Sequence, residues 1–255
     1  MKNNSTQIIC SLAFAGLFFL SSCGTIYYAP NQPNLPMVKD KGITKVNGSI
    51  GFGELSSAFD VNVFHSVSNS VGVMGNFSSM YLDGNELNSL DLGAGYFNAF
   101  DESSGFEIYS TVGYGKLKMT DYNLFGPDYS SSSPVYRFSI QPDIFYAGKH
   151  FEAGFGIRLH YFSFGNTPMD YDYAYNTTYN YSYSNAYEAV SKNNLMFEPT
   201  IRMAFGGEKA KASLQGTYSQ KINEGYLNYD PFVFSVGFSI KIGASDRPRP
   251  IADKR

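Results

Sequence analysis

From Phe151 to Phe164, FEAGFGIRLHYFSF, apolar and polar positions alternate with a period of two. Phe151, Ala153, Phe155, Ile157, Leu159, Tyr161 and Ser163 form one set, almost wholly apolar. Glu152, Gly154, Gly156, Arg158, His160, Phe162 and Phe164 form the other, which holds every ionisable residue except Tyr161. Alternate residues of a strand face opposite sides, so the stretch predicts one strand with an apolar and a polar, glycine-bearing face. At 14 residues it is far longer than the five or six of an ordinary globular strand. That length and two-sidedness suit the wall of a membrane-spanning barrel.

The same pattern recurs from Thr44 onward. Ten strands are predicted, at 44–53, 57–65, 70–81, 89–100, 105–117, 134–147, 150–164, 194–206, 210–221 and 231–242. In the last, Phe232, Phe234, Val236, Phe238, Ile240 and Ile242 oppose Val233, Ser235, Gly237, Ser239 and Lys241. Short joins at 67–69, 101–104, 148–149 and 207–209 alternate with longer ones at 82–88, 118–133, 165–193 and 222–230, and 54–56 is a short exception. Outer-membrane barrels have short periplasmic turns and longer external loops. The predicted fold is therefore all-β, an antiparallel up-and-down transmembrane β-barrel of about ten strands. Eight strands with an extended outer hairpin is the alternative, because the first two candidates are short.

Alternation alone does not say which face is inside. The polar face is rich in Gly, Ser, Asn and Thr with isolated charges, whereas a water-exposed sheet would carry many Lys and Glu. An Arg facing lipid at mid-depth costs about 2–4 kcal/mol. The register that avoids this points Asp60, Asp91, Glu107, Asp143, Glu152 and Glu198 inward, with Lys45, Arg137, Arg158, Arg202, Lys211 and Lys241, and His160 beside them. Six acids against six bases in so narrow a lumen predict a plug of paired charges, and a network of Arg137, Asp143, Glu152, Arg158, His160, Glu198 and Arg202 at its centre. Pro142 and Pro199 each remove a ladder donor inside a strand, which predicts a bulge or slip at each.

Residues 1–22 read as a signal peptide: Lys2, a short apolar run from Ile8 to Leu20, then Leu20-Ser21-Ser22-Cys23. Cys10 leaves with the signal, so the mature chain keeps only Cys23 and forms no internal disulfide. Residues 23–43 carry Pro30, Pro33 and Pro36 at three-residue spacing, which predicts an extended tether acting as a plain linker, with its start on the periplasmic side. The barrel follows over 44–243 and a polar tail over 244–255. Without the signal the chain has 18 basic and 22 acidic residues, a mild balance without a basic patch, so a nucleic-acid partner is not expected. After the signal no apolar run comes close to the length of a transmembrane helix.

Candidate chemistry is sparse. His160 with Asp143 or Glu198 and a loop serine is the one conceivable hydrolytic set, and no diagnostic spacing supports it; the expectation is a non-enzyme. No Cys pair, His-x-His cluster or phosphate-binding loop predicts a metal or cofactor. His65 and His150 fall at strand ends beside short joins. In the long loop, Tyr171, Tyr173, Tyr175, Tyr179, Tyr181 and Tyr183 alternate with Asp, Asn, Ser and Thr, a mixture suited to a surface that binds an extracellular protein or glycan. It equally suits a simple hairpin extension of the two flanking strands.

Leu20-Ser21-Ser22-Cys23, the segment YYAPNQPNLPMVKDKGI and the first strand VNGSIGFG resemble the start of small bacterial outer-membrane β-barrel lipoproteins of uncharacterised function. The resemblance implies cleavage before Cys23, diacylglycerol on its thiol, and lipid-anchored residence in the outer membrane of a Gram-negative cell. It carries over no other site residue. The leading expectation is a structural or surface-interaction protein. A narrow porin or transporter and a soluble lipoprotein barrel around an apolar ligand are the alternatives.

Overall fold

A computed structural model describes residues 26–121, 129–165 and 193–243. Its strands are β1 (Thr44–Phe52), β2 (Ser56–Ser66), β3 (Val71–Leu82), β4 (Asn85–Ala99), β5 (Ser104–Asp121), β6 (Tyr129–Ala147), β7 (Phe151–Phe164), β8 (Asn193–Gly206), β9 (Ala210–Tyr218), β10 (Gln220–Lys221) and β11 (Phe232–Ile242). Neighbours in sequence pair antiparallel, β9 pairs with both β8 and β11, and β11 closes the ring against β1. β10 is a two-residue continuation of β9 along β8, so the wall has ten strands. The eight-stranded alternative falls because β1 runs in continuous register from Thr44 to Phe52 against both β2 and β11. Short as it is, β1 closes the barrel.

The faces are those the alternation predicts, and they invert a water-soluble core. Val112 is 64% exposed, and Leu92, Ile144, Ile201 and Phe238 stand on the same outer surface. The inner face buries Asp60, Asp91, Glu107, Arg137, Asp143, Glu152, Arg158, Glu198, Arg202 and Lys211. Outward aromatics mark two levels. Tyr81, Tyr114, Tyr136 and Tyr161 ring the upper wall, with Tyr114 and Tyr136 edge to face at 5.8 Å. Tyr96, Tyr146, Phe151 and Phe205 lie near the short-turn end, where Phe151 packs on Tyr146 and Phe205 at 6.2 and 5.0 Å. Phe151 and Tyr161 are ten positions apart in β7, which in a strand tilted about 40° is a height of about 25 Å.

Three sequence expectations need correction. The join expected over 82–88 is a two-residue turn, with Asp83 at φ 42° and Gly84 at φ 92°; positive φ at both central positions matches the twist of the flanking strands, and Asp-Gly supplies it cheaply. The join expected over 118–133 shrinks in the same way, because β5 and β6 continue paired up to Asp121 and Tyr129. The prolines produce neither bulge nor slip. The β6–β7 ladder omits Gln141 and Pro142 and resumes at Asp143 in unchanged register. The ladder from β8 to β9 and β10 is likewise interrupted at Glu198 and Pro199, with the same register on either side. Each proline deletes its donor on one side, while its other neighbour stays paired as Ile108–Pro142 and Ile157–Pro199.

Candidate functional site: the occupied lumen

The segment expected to be a linker is inside the barrel. Residues 26–38 are all buried. Ile26 and Tyr28 lie at the long-loop mouth: Asn85 Nδ2 donates to Ile26 O at 2.8 Å, Tyr27 N to Asn228 O at 3.0 Å, and Asp230 N to Tyr28 O at 2.9 Å. Lys39 and Gly42 lie at the short-turn mouth, where Lys39 Nζ donates to Ala147 O at 3.1 Å and Gly42 N to Ser66 O at 2.9 Å. Eleven extended residues at about 3.1 Å each span about 34 Å, enough to cross the wall from end to end. The chain enters through one mouth, leaves through the other, and only then turns into β1.

An extended segment has no internal hydrogen bonds, so once it is out of water the wall must satisfy its backbone. Pro30, Pro33 and Pro36 lower that demand by removing three donors. Polar wall residues take up part of the rest. Arg158 Nη2 donates to Asn31 O at 3.1 Å, Gln215 Nε2 to Pro33 O at 3.0 Å, Gln141 Nε2 to Asn34 O at 2.9 Å, and Arg202 Nη1 to Leu35 O at 2.9 Å. Met37 N donates to Glu107 Oε1 at 2.7 Å and Met37 O accepts from Lys45 Nζ at 3.2 Å. Side chains add to this. Arg137 Nη2 donates to Asn31 Oδ1 at 2.7 Å, Asn34 Nδ2 donates to Asn76 Oδ1 at 3.0 Å, and Gln32 Oε1 accepts from Asn47, Ser49 and Asn62.

Apolar packing closes both ends. Ile26, Tyr27, Tyr28 and Ala29 join a cluster with Met80, Leu87, Phe162 and Phe164 at the loop mouth, and Val38 and Ile43 join Phe64, Phe97 and Tyr109 near the turns. Between them Leu35 and Met37 lie over Gly154, where a Cβ would stand 3.1 Å from both Leu35 Cδ2 and Met37 Sδ. The lumen-side glycines of β7 thus clear the path of the segment.

The residues of the predicted charge network face the lumen, but of the ion pairs among the described residues only Arg158–Glu198 joins two of its members. Arg158 Nε meets Glu198 Oε2 at 2.5 Å, Lys45 and Lys211 share Glu152 at 3.0 and 3.3 Å, and Arg137 lies 3.5 Å from Asp91. Glu107, Asp143 and Arg202 bind instead to Met37 N and Tyr109, to Gln141, and to Leu35 O and Asn47. The expected plug of charge pairs alone is therefore corrected. The filling is residues 26–40, and the charges clamp it.

The hydrolytic set is not brought together. His160 is buried beside Tyr28 and Phe162, with ring centroids at 6.0 and 5.7 Å, and neither ring nitrogen has a hydrogen-bond partner among the described residues. Glu198 is taken by Arg158, Tyr28 and Ser219, and Asp143 accepts from Gln141 at 2.8 Å. His65 meets Thr44 at 2.9 Å and His150 meets Gly206 O at 3.2 Å, both at the short-turn rim. Among the described residues no cluster of His, Cys, Asp and Glu could hold a metal ion. Cys23 and Tyr171, Tyr173, Tyr175, Tyr179, Tyr181 and Tyr183 lie outside the described residues.

No family model and no curated relative matches this chain. Among solved structures it is similar to the KdgM porin, at 9% identity over 78% of this chain and 99% of that one, with a TM-score of 0.39. The β domain of the Bordetella autotransporter BrkA follows at 7% identity, 80% and 99% coverage and 0.44. The translocator domain of the autotransporter NalP from Neisseria meningitidis gives 10%, 94% and 95%, and 0.42. Likeness at this level bears on neither cargo nor ligand.

Proposed function

We propose that this protein is an outer-membrane β-barrel lipoprotein, non-enzymatic, that acts as a closed scaffold rather than a conduit. The observation that carries the reading is the lumen filled from mouth to mouth by the protein's own N-terminal segment, with its buried backbone hydrogen-bonded to the wall. A ten-stranded wall encloses little more than side chains can fill, and here it encloses a strand's width of chain as well. The apolar outer surface, bounded by aromatic levels about 25 Å apart, suits a bilayer. The soluble alternative, a barrel around an apolar ligand, would need the opposite arrangement of faces. With the interior spent on closure, recognition falls to the long loops. The tyrosine-rich stretch Tyr171–Tyr183 is the surface we assign to contact an extracellular protein or glycan. Cys23 carries the anchor.

Single-channel recording on the purified full-length protein in planar bilayers tests the closed state. The reading predicts a quiet membrane from preparations whose insertion is verified by a heat-dependent gel shift. Regular conductance steps from such preparations would instead favour a narrow porin.

A further inference from the structure

We infer that the lipid on Cys23 anchors this barrel from the loop side, in the outer leaflet, and not from the periplasmic side where an ordinary lipoprotein tether would start. The inference rests on the reading above, in which Cys23 is lipidated and the long loops are external; the threading itself comes from the structure. The two described ends of the chain leave by opposite mouths. Ile26 is bonded to Asn85, directly after the Asp83–Gly84 turn at the loop end, whereas β11 ends beside Thr44 at the short-turn end. Cys23 precedes Ile26 by three residues, which reach at most about 11 Å fully extended. The apolar band to be crossed is about 25 Å tall. A lipid on Cys23 therefore cannot enter the far leaflet unless the segment is drawn out of the lumen. That would break the bonds of Tyr27 and Tyr28 to the Asn228–Asp230 stretch and unpack Tyr28 from Phe162, on which it lies at 4.5 Å.

The arrangement joins anchor and plug. Sliding the segment toward the short-turn side is opposed by a lipid that cannot pass through the lumen, and sliding it the other way is opposed by its covalent continuation into β1. A barrel held this way is stopped at both ends.

Three single-cysteine variants of the full-length protein in cells test this with a membrane-impermeant maleimide: Thr25→Cys beside the anchor, Ser184→Cys in the long loop and Ser245→Cys in the tail. Alkyne-palmitate incorporation is followed in wild type and in Cys23→Ala. The expected result is labelling of Thr25→Cys and Ser184→Cys on intact cells, labelling of Ser245→Cys only after permeabilisation, and palmitate on wild type alone. Ser184→Cys labelled on intact cells with Thr25→Cys labelled only after permeabilisation, or in neither condition, overturns the inference while leaving the orientation of the barrel standing. Ser245→Cys labelled and Ser184→Cys protected shows that the orientation itself is wrong, and the outer-leaflet assignment falls with it. Wild type without palmitate removes the anchor.

Discussion

Arg158 and Glu198 show what a single residue does in an interior of this kind. Glu198 is fully buried and accepts from Arg158, Tyr28 and Ser219, so three elements depend on one carboxylate. Removing one partner of a buried pair leaves the other charge uncompensated, at about 3–5 kcal/mol, whereas removing both costs far less. Arg158→Ala is expected to lose about that much in urea unfolding of the micelle-bound protein, and Arg158→Met with Glu198→Gln to recover most of it. A different carboxylate sits outside the wall. Asp101, in the β4–β5 turn, accepts from Ser103 N at 2.6 Å, Ser104 N at 2.7 Å and both serine hydroxyls. The Ser104 hydroxyl, then the two backbone donors, hold its carboxyl well below the usual carboxylate range. A depressed folded value means that the turn's stabilisation is complete above the unfolded carboxyl pKa and is lost only as pH falls through the lower folded one. The Ser104 amide resonance should therefore stay unshifted through about pH 4 and move only in stronger acid, and in Asp101→Asn this titration should be absent. A midpoint at an ordinary Asp value would contradict the turn geometry.

At the scale of the element, period-two alternation located the ten strands and sorted their residues into two faces, and the composition of the polar face with the cost of a charge in lipid said which face is inward. The sorting works because register and facing are set by the same parity, so a strand that hides Arg202 must show Ile201 and Met203. The misreadings lie where parity is silent. Ser130–Ser133 look like loop, yet they pair with Thr120–Leu117 because β5 supplies the partner. Pro142 and Pro199 suggest a slip, yet the intact ladder on their other side keeps the register. The outward face makes a direct prediction for lipid. Ile140→Arg places a charge between the levels of Tyr136 and Tyr146 on the exposed side of β6 and should cost about 2–4 kcal/mol in vesicle-bound unfolding. An unchanged midpoint would mean that this face meets water.

For the whole molecule, the decisive feature was the least legible. Barrel walls announce themselves by alternation, but an extended segment has no period to read, and prolines at 30, 33 and 36 fit a solvated tether as well as a buried strap. The clue was composition. IYYAPNQPNLPMV, residues 26–38, contains no charge and seven apolar or aromatic side chains besides its prolines, whereas a segment that stays in water is charged and poor in them. The lumen residues Arg137, Arg158 and Arg202 were readable as inward, but their partners were not, because those partners are backbone carbonyls of a segment assigned elsewhere. One strap thus explains the polar interior, the glycines of β7 and the closed pore together. The measurement that tests it most directly is a disulfide between strap and wall. The γ position of Met37 lies 3.6 Å from where a Cβ on residue 154 would stand, close enough for an S–S bond. Met37→Cys with Gly154→Cys, made in the full-length protein and run without reductant, should give a reductant-sensitive mobility shift that neither single variant shows. Two thiols that stay unbridged under oxidant and both react with maleimide would place the segment outside the barrel and contradict the account.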